Sequence, residues 1–368
     1  MTHPALQNGL VVIVVAAAAW LSWRASRRTH WRLAARQIAA NRLATASLAV
    51  VSLYVAVGLM DSVSWRDRAV GTDGAPVSDP AGKPVYDANS RSVLDRLCSP
   101  LVSRQEKTYS YPFADRLFSR ETVKTPDGKT ARERPPLAHP RTHPLGTDRI
   151  GNDVLYSSLK GVRTALLIGG LTTALVIPFA LLFGVPAGYF GGRVDDAVQY
   201  FYTTLASIPD ILLITAFMLM AGRGLLPLCI ILGITSWTGL CRLLRGETLK
   251  LRELEYVQAA RALGLSPLRI MTRHIVPNLM HIVLISSVLR FSGLVLTEAI
   301  LSYLGLGVNP GTGSWGHMIN MTRMELSREP LVWWNFAAAF TFMFGLVLPV
   351  NVFGDALRDA LDPRLRTK

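Results

Sequence analysis

The chain has 368 residues, half of them hydrophobic and 17% charged, with a mean hydropathy of +0.30. Combined with several long apolar runs, that mix indicates an all-α polytopic membrane protein rather than a soluble domain. The net charge of +14 would suggest nucleic acid in a soluble chain, but many of the Arg residues flank apolar runs, so membrane topology accounts for it.

Residues 1–23 carry no Lys, Arg, Asp or Glu and end in GLVVIVVAAAAWLSW. A secretory signal peptide would carry positive charge before its apolar core; here the charge follows, at Arg24, Arg27, Arg28, Arg32, Arg36 and Arg42. The reading is an uncleaved transmembrane helix over 1–23, its N-terminus outside, and a basic cytoplasmic linker over 24–42. A second span covers 43–60. From 61 to 158 the chain is polar, with scattered aromatics (Tyr86, Tyr109, Tyr111, Phe113, Phe118) and no sustained period. That predicts an external domain of irregular structure. Its many Arg and Lys residues do not oppose that side, because long loops translocate largely regardless of charge.

HPLGTDRIGNDVL, at 143–155, closes this region. Pro144, Gly146 and Gly151 make it turn-rich. Asp148, Asn152 and Asp153 lack the spacing of a calcium loop, which leaves capping and turn hydrogen bonds as their use. The stretch 159–245 is read as transmembrane helices, with spans over 164–190, 197–220 and 224–244. GGRVDD is a short cytoplasmic turn after the first of these. SIPD, at 207–210, interrupts the second: Pro209 disturbs the helix. Asp210 either caps the half that follows or, as a carboxylate at membrane depth, belongs to a working site.

The charged stretch 249–277, LKLRELEYVQAARALGLSPLRIMTRHIVP, is the core of a cytoplasmic loop over 246–279. Good helix formers fill 249–263, and Leu251, Leu254, Val257 and Ala260 recur every three residues into Leu263, predicting one amphipathic helix. Ala259 and Ala260 are expected to form a smooth patch open to close approach. Gly264 suits a helix C-terminus, and Ser266-Pro267 the start of a second helix that Pro277 ends or kinks. The bland alternative is an amphipathic loop lying on lipid headgroups.

Transmembrane helices fill 280–357, with an external loop over 307–330, and a cytoplasmic tail covers 358–368. The span after the loop carries Arg290 and Glu298, expected near one face with Ser287 and Thr297. That face is read as lining a path on which Arg290 could meet a carboxylate; the competing reading is a snorkelling or structurally paired Arg. Trp333 and Trp334 are read as an interfacial belt. Cys98, Cys229 and Cys241 form no CxxC or Cys/His cluster, and no Gly-x-x-x-x-Gly-Lys-Ser/Thr is present.

QAARALG, nine residues, then HIVP resembles the cytoplasmic coupling loop of bacterial ABC-transporter permeases. The family pattern is Glu-Ala-Ala, three residues, Gly, nine residues, Ile-x-Leu-Pro. Ala259, Ala260, Gly264 and Pro277 match in register; Gln258, His274 and Val276 depart from it, and Glu255, one turn before Gln258, is a candidate for the missing acid. HPLGTDRIGNDVL resembles the entrance to the membrane core in C-type subunits of the peptide/nickel (dipeptide/oligopeptide) importer family. So do TEAILSYLGLGV at 297–308 and GDALRDALDPRLR at 354–366. Arg290 is not part of the general family pattern.

The resemblance implies a type I ABC importer transmembrane fold of six core helices, here with an extra N-terminal helix, in a bacterial inner membrane. It implies no catalysis by this chain. A homologous B-type permease, two ATP-binding subunits holding ATP and Mg, and a periplasmic substrate-binding protein would complete the machine. Glu255, Gln258, Ala259, Ala260, Gly264 and Pro277 would form the ATPase-coupling surface, with Asp210, Arg290 and Glu298 on the translocation path. Di- or oligopeptides are the leading substrate class, with nickel chelates as the alternative. An autonomous secondary transporter using Asp210, Arg290 and Glu298 would leave the coupling motif unused. A membrane enzyme lacks any supporting Ser/His/Asp set or metal cluster.

Overall fold

The computed structural model describes residues 8–361, apart from positions 10, 14, 18, 19, 21, 22, 25, 26, 28, 70–84, 88, 89, 125–129, 310, 324 and 328. The first seven residues of the predicted N-terminal span, and 362–368 of the predicted tail, lie outside these. In chain order the elements are α1 (Thr29–Ala40), α2 (Arg42–Ser62), β1 (Ser64–Trp65), β2 (Arg91–Ser92), α3 (Val93–Leu97), α4 (Ser99–Val102), β3 (Glu121–Lys124) and β4 (Thr130–Glu133). Then come α5 (Val154–Phe190), α6 (Gly192–Ala206), α7 (Asp210–Ala221), α8 (Leu225–Leu251), α9 (Glu255–Ala262), α10 (Pro267–Tyr303), α11 (Trp315–Thr322) and α12 (Trp334–Leu361). The described positions from Asn8 to Arg24 are also helical.

Among the described residues, five helices are long and apolar enough to cross a membrane: α2, α5, α8, α10 and α12. A sixth forms if α6 and α7, bent by 81° at their break, count as one span. These fall on the six spans predicted after residue 42. The predicted GGRVDD turn is shorter than expected: Gly191 alone is non-helical, and α6 starts at Gly192. Asp210 does not cap α7. Pro209 holds the cap position, and Asp210 is the first helical residue, without a side-chain cap hydrogen bond.

The chain divides into two compact units. The first comprises Met1–Ala35, Ala49–Thr164 and Gly313–Phe344. Its small strands pair as β1–β2 and β3–β4, both antiparallel, and its core is aromatic: Tyr109, Phe118 and Trp334 pack with Val154 and Val332. Trp334 corrects the interfacial-belt reading. It is 2% exposed, edge-on to Phe118 at 5.3 Å, and its Nε1–H donates to the Thr147 carbonyl at 2.9 Å. Only Trp333, 49% exposed, stands outward. The difference is one of partners: the aromatics of the 61–158 region supply an apolar pocket that no local pattern announces.

The HPLGTDRIGNDVL turn folds as capping chemistry. Asp148 accepts from the N–H groups of Ile150 and Asn152. Asp153 accepts from the Tyr156 N–H at the start of α5 and pairs with His143 Nδ1 at 2.8 Å, both side chains buried. Gly146 and Gly151 have φ of +74° and +79°, and a side chain at Gly151 would strike the Glu106 backbone.

Beside this turn, Lys160 reaches Asp61 at 2.6 Å and Asp95 at 2.7 Å, while the Tyr156 hydroxyl donates to Asp95 at 2.8 Å. Burial alone would raise the Asp95 pKa. The Lys160 ammonium, the Ser92 N–H and the Tyr156 hydroxyl overcome it and hold the carboxyl below the ordinary carboxylate range. A lowered folded-state pKa contributes stability that is present above the unfolded value, about 3.9, and is lost as pH falls through the folded value. Asp95→Asn is therefore expected to flatten the acid limb of a thermal-midpoint-versus-pH curve for the purified protein; an unchanged limb would remove Asp95 from the acid response.

The second unit comprises Arg36–Leu48, Ala165–Thr312 and Gly345–Lys368. One of its cores joins α5, α6, α8, α9 and α10 through Tyr189, Tyr202, Trp237, Leu244, Val257 and Ile275. Along α5, Gly184 and Gly188 face the α8 backbone. An added Cβ at these positions would lie 2.7 Å from the Cys241 carbonyl oxygen and 2.6 Å from the Arg245 carbonyl oxygen.

Candidate functional site

The predicted helix over 249–263 is not continuous. Residues 249–251 finish α8, three residues turn the chain, and α9 begins at Glu255. Leu254 and Leu263, expected on the buried stripe, are 44% and 81% exposed, whereas Val257 is fully buried and Ala260 is 6% exposed. The break at 252–254 takes Leu254 out of the helix and Leu263 lies past its last residue, about 120° round from Val257, so the every-third stripe holds only at Val257 and Ala260. Ala259 and Ala260 form no common patch: Ala259 is exposed and Ala260 faces the core with Val257. Adjacent helical residues diverge by about 100°, and only the one three residues from Val257 shares its side.

The elbow matches its expectation. Gly264 has φ +77°, Ser266 is extended, and Pro267 opens α10. Pro277 neither ends nor sharply breaks that helix. A π turn at Met271–Ile275 precedes it, and the Val276 N–H bonds to the Met271 carbonyl. Lengthening the ladder by one residue accommodates the proline ring and its missing donor. Glu255, Gln258, Ala259, Gly264 and Pro277 are all exposed, and the Gln258 side chain donates to the Glu253 carbonyl at 3.2 Å. Leu254, Tyr256, Leu263 and Leu268 stand out around them.

The loop is rooted by contacts that sequence reading did not single out. Asp195 on α6 accepts both Nε–H and Nη2–H of Arg245 on α8. Arg252 donates to the Gly188 carbonyl at 3.1 Å, and the Arg261 guanidinium lies 5.3 Å from the Tyr189 ring centre. Read as a turn, GGRVDD hid Asp195; its signal was a charge at an apolar run's edge, facing another such charge across the fold. With Val257, Ile270 and Ile275 buried, one side of the loop is fixed while the other presents apolar side chains to the surroundings.

A cavity of about 340 Å³ lies among α5, α7, α8 and α10. Asp210 and Arg290 both line it, with Thr173, Ser236, Thr238 and Thr297. The Arg290 Nη1–H donates to the Ser236 carbonyl at 2.9 Å. Gly239 makes room for that guanidinium, which would collide with any side chain there. Glu298 is placed apart from this lining. It is 1% exposed and accepts from the Ser302 hydroxyl at 2.7 Å. Ser287, Arg290 and Thr297 share the expected face; eight residues turn a helix to about 80° from its starting face, which carries Glu298 off it.

Residues 180–367, more than half of the chain and including the loop and the cavity helices α7, α8 and α10, match the model of the binding-protein-dependent transport system inner membrane component family. The chain belongs to this family. Membership makes it a multi-pass inner-membrane permease of an ABC importer, a membrane subunit that works with further permease, ATPase and substrate-binding components. It is similar to the oligopeptide transport system permease OppC of Bacillus subtilis, 34% identical over 68% of this chain and 80% of that protein. It is 32% identical to the dipeptide permease DppC of the same organism, over 64% of this chain and 72% of the other. It is also 34% identical to the glutathione transport system permease GsiD of Pectobacterium atrosepticum, over 61% and 74%.

Proposed function

We propose that this permease carries short peptides, forming one half of the translocation path and coupling it to ATPase closure through residues 249–277. The observation that carries the coupling is the two-sidedness of that loop. Val257, Ala260 and Ile275 anchor it in the helix core, while Leu254, Tyr256, Leu263 and Leu268 offer apolar contacts around the Gly264 elbow. A rigidly rooted surface transmits displacement; a loose loop would absorb it. The peptide class is supported by the relatives' own names.

In this reading Glu255, Gln258, Ala259, Gly264 and Pro277 face the ATPase, Ala260 shapes the support behind them, and ATP and Mg sit on two ATP-binding subunits. A homologous B-type permease supplies the other half of the path, which runs over Asp210 and Arg290; Glu298 supports α10 from behind. The loop and the C-terminus lie in the cytoplasm, and the 61–158 region and the N-terminus on the opposite side, where a binding protein delivers substrate. An extra span within 1–23 precedes the six-helix core.

The test is reconstitution of the subunits that co-purify with this chain and measurement of ATP-driven uptake of a labelled peptide mixture. Co-purification of an ATPase with ATP-dependent peptide uptake is the expected result. Transport that proceeds without any ATPase would overturn the coupling role and return Asp210, Arg290 and Glu298 to consideration as an autonomous relay.

A further inference from the structure

We infer that the cavity among α5, α7, α8 and α10 is a subsite for a zwitterion: Arg290 receives a carboxylate and Asp210 an ammonium, as presented by the two ends of a short peptide. The inference rests on the peptide reading above and adds what this chain recognises.

Charged side chains within a span are costly and ordinarily pair with one another or line a polar cavity. Here opposite charges line one cavity without closing on each other. Among the described residues, Arg290 has no carboxylate within ion-pair distance, and its hydrogen bond goes to the Ser236 carbonyl. Asp210, at the start of α7, makes neither an ion pair nor a side-chain hydrogen bond among them. That bond to Ser236 uses one donor of the guanidinium fork, so further donors remain for a planar carboxylate. The missing side chain at Gly239 is what admits the guanidinium to this place.

A neutral solute would leave both charges without a direct ionic contact, and a simple anion or cation would give one to only one of them. A molecule carrying both signs satisfies both, and the Thr173 and Thr238 side chains on the same wall offer hydroxyls for a peptide bond between them. The volume, about 340 Å³, falls at the small end of ligand cavities and suits a di- or tripeptide.

The test uses the full complex in lipid nanodiscs without its binding protein, so that any selectivity read belongs to the permease. A Ser287→Cys substitution places a thiol on the cavity wall, where the native hydroxyl is turned to the Val283 carbonyl, and mass spectrometry follows maleimide addition at that position apart from Cys98, Cys229 and Cys241. The dipeptide Ala-Phe is expected to slow the labelling, and N-acetyl-Ala-Phe-amide is expected not to. Adding Arg290→Gln or Asp210→Asn should raise the half-protecting Ala-Phe concentration by about ten-fold or more, the size of one lost charge-assisted contact.

Equal protection by the blocked peptide overturns the inference, and this comparison needs no charge variant to fold. So does unchanged protection in both charge variants, which would leave Asp210 and Arg290 as structural charges. ATP-driven uptake of labelled Ala-Phe by the complete wild-type system separates the two readings. Uptake without protection sinks the subsite and keeps the peptide permease; protection without uptake does the reverse.

Discussion

Gly264→Arg is expected to leave the permease assembled and to cut ATP-driven uptake by about ten-fold or more, equivalent to at least 1.4 kcal/mol of lost coupling. The backbone at Gly264 has φ +77°, and nothing lies within 4 Å of an added Cβ. A side chain there costs about 1–2 kcal/mol of left-handed strain and clashes with nothing, so the fold survives. What changes is the surface. A long cation is added between Leu263 and Leu268, which are 81% and 67% exposed, in the middle of the proposed apolar contact. Gly264→Ala carries the same strain without the charge and should keep most of the uptake. If Ala is as damaging as Arg, the left-handed elbow itself carries the effect. Wild-type uptake by the Arg variant would remove this loop from the coupling role.

Gly188→Leu should act in the opposite manner, on assembly rather than on coupling. Its Cβ would fall 2.6 Å from both the Arg245 carbonyl oxygen and the Thr248 Cβ. A Cβ added at Gly184, one turn earlier, would lie 2.7 Å from the Cys241 carbonyl oxygen. Two glycines four residues apart thus bring α5 and α8 backbone to backbone, the arrangement that small residues permit in membrane helix pairs. A carbonyl oxygen in a helix cannot swing aside as a side-chain tip can. The helices must separate, at about 1–3 kcal/mol or more for an overpacked core. That separation also loosens the Arg252 bond to the Gly188 carbonyl, and with it the root of the loop. The expected result is a lower thermal midpoint and lower yield of the purified permease. Gly170→Leu is the control, because nothing lies within 4 Å of its added Cβ. Leu is the better helix former, so propensity favours both variants; equal loss in both would mean that bulk added anywhere along α5, and not the α5–α8 contact, decides the outcome.

The residues of the proposed site were legible to different degrees. The elbow was readable because its rules are local: a glycine at positive φ, then Ser-Pro opening a helix, are set by the backbone of the residues themselves. The continuity of α10 through Pro277 was not, because the π turn that absorbs the proline needs Met271 and Ile275 buried against neighbouring helices. The exposure of Leu254 was hidden by the break at 252–254, which no Gly or Pro announces, whereas the separation of Ala259 from Ala260 follows from the 100° step between adjacent helical residues. Trp334 read as a belt residue because its pocket comes from Tyr109, Tyr111 and Phe118, more than 200 positions away.

By itself the sequence determined the five unbroken apolar spans and the apolar stretch interrupted at SIPD, their order, the polar region between the first two, and the position of the loop. Each of these depends on apolar run length and flanking charge, which are additive along a chain and need no partner. Tertiary structure alone decided which charges meet. It joined Asp195 to Arg245, set Glu298 against Ser302, and brought Asp210 into one cavity with Arg290, 80 positions away. Such pairings follow from the angle at which helices cross and from the glycines that let them approach. A charge's neighbour across the fold is therefore fixed by packing, not by its neighbours in the chain.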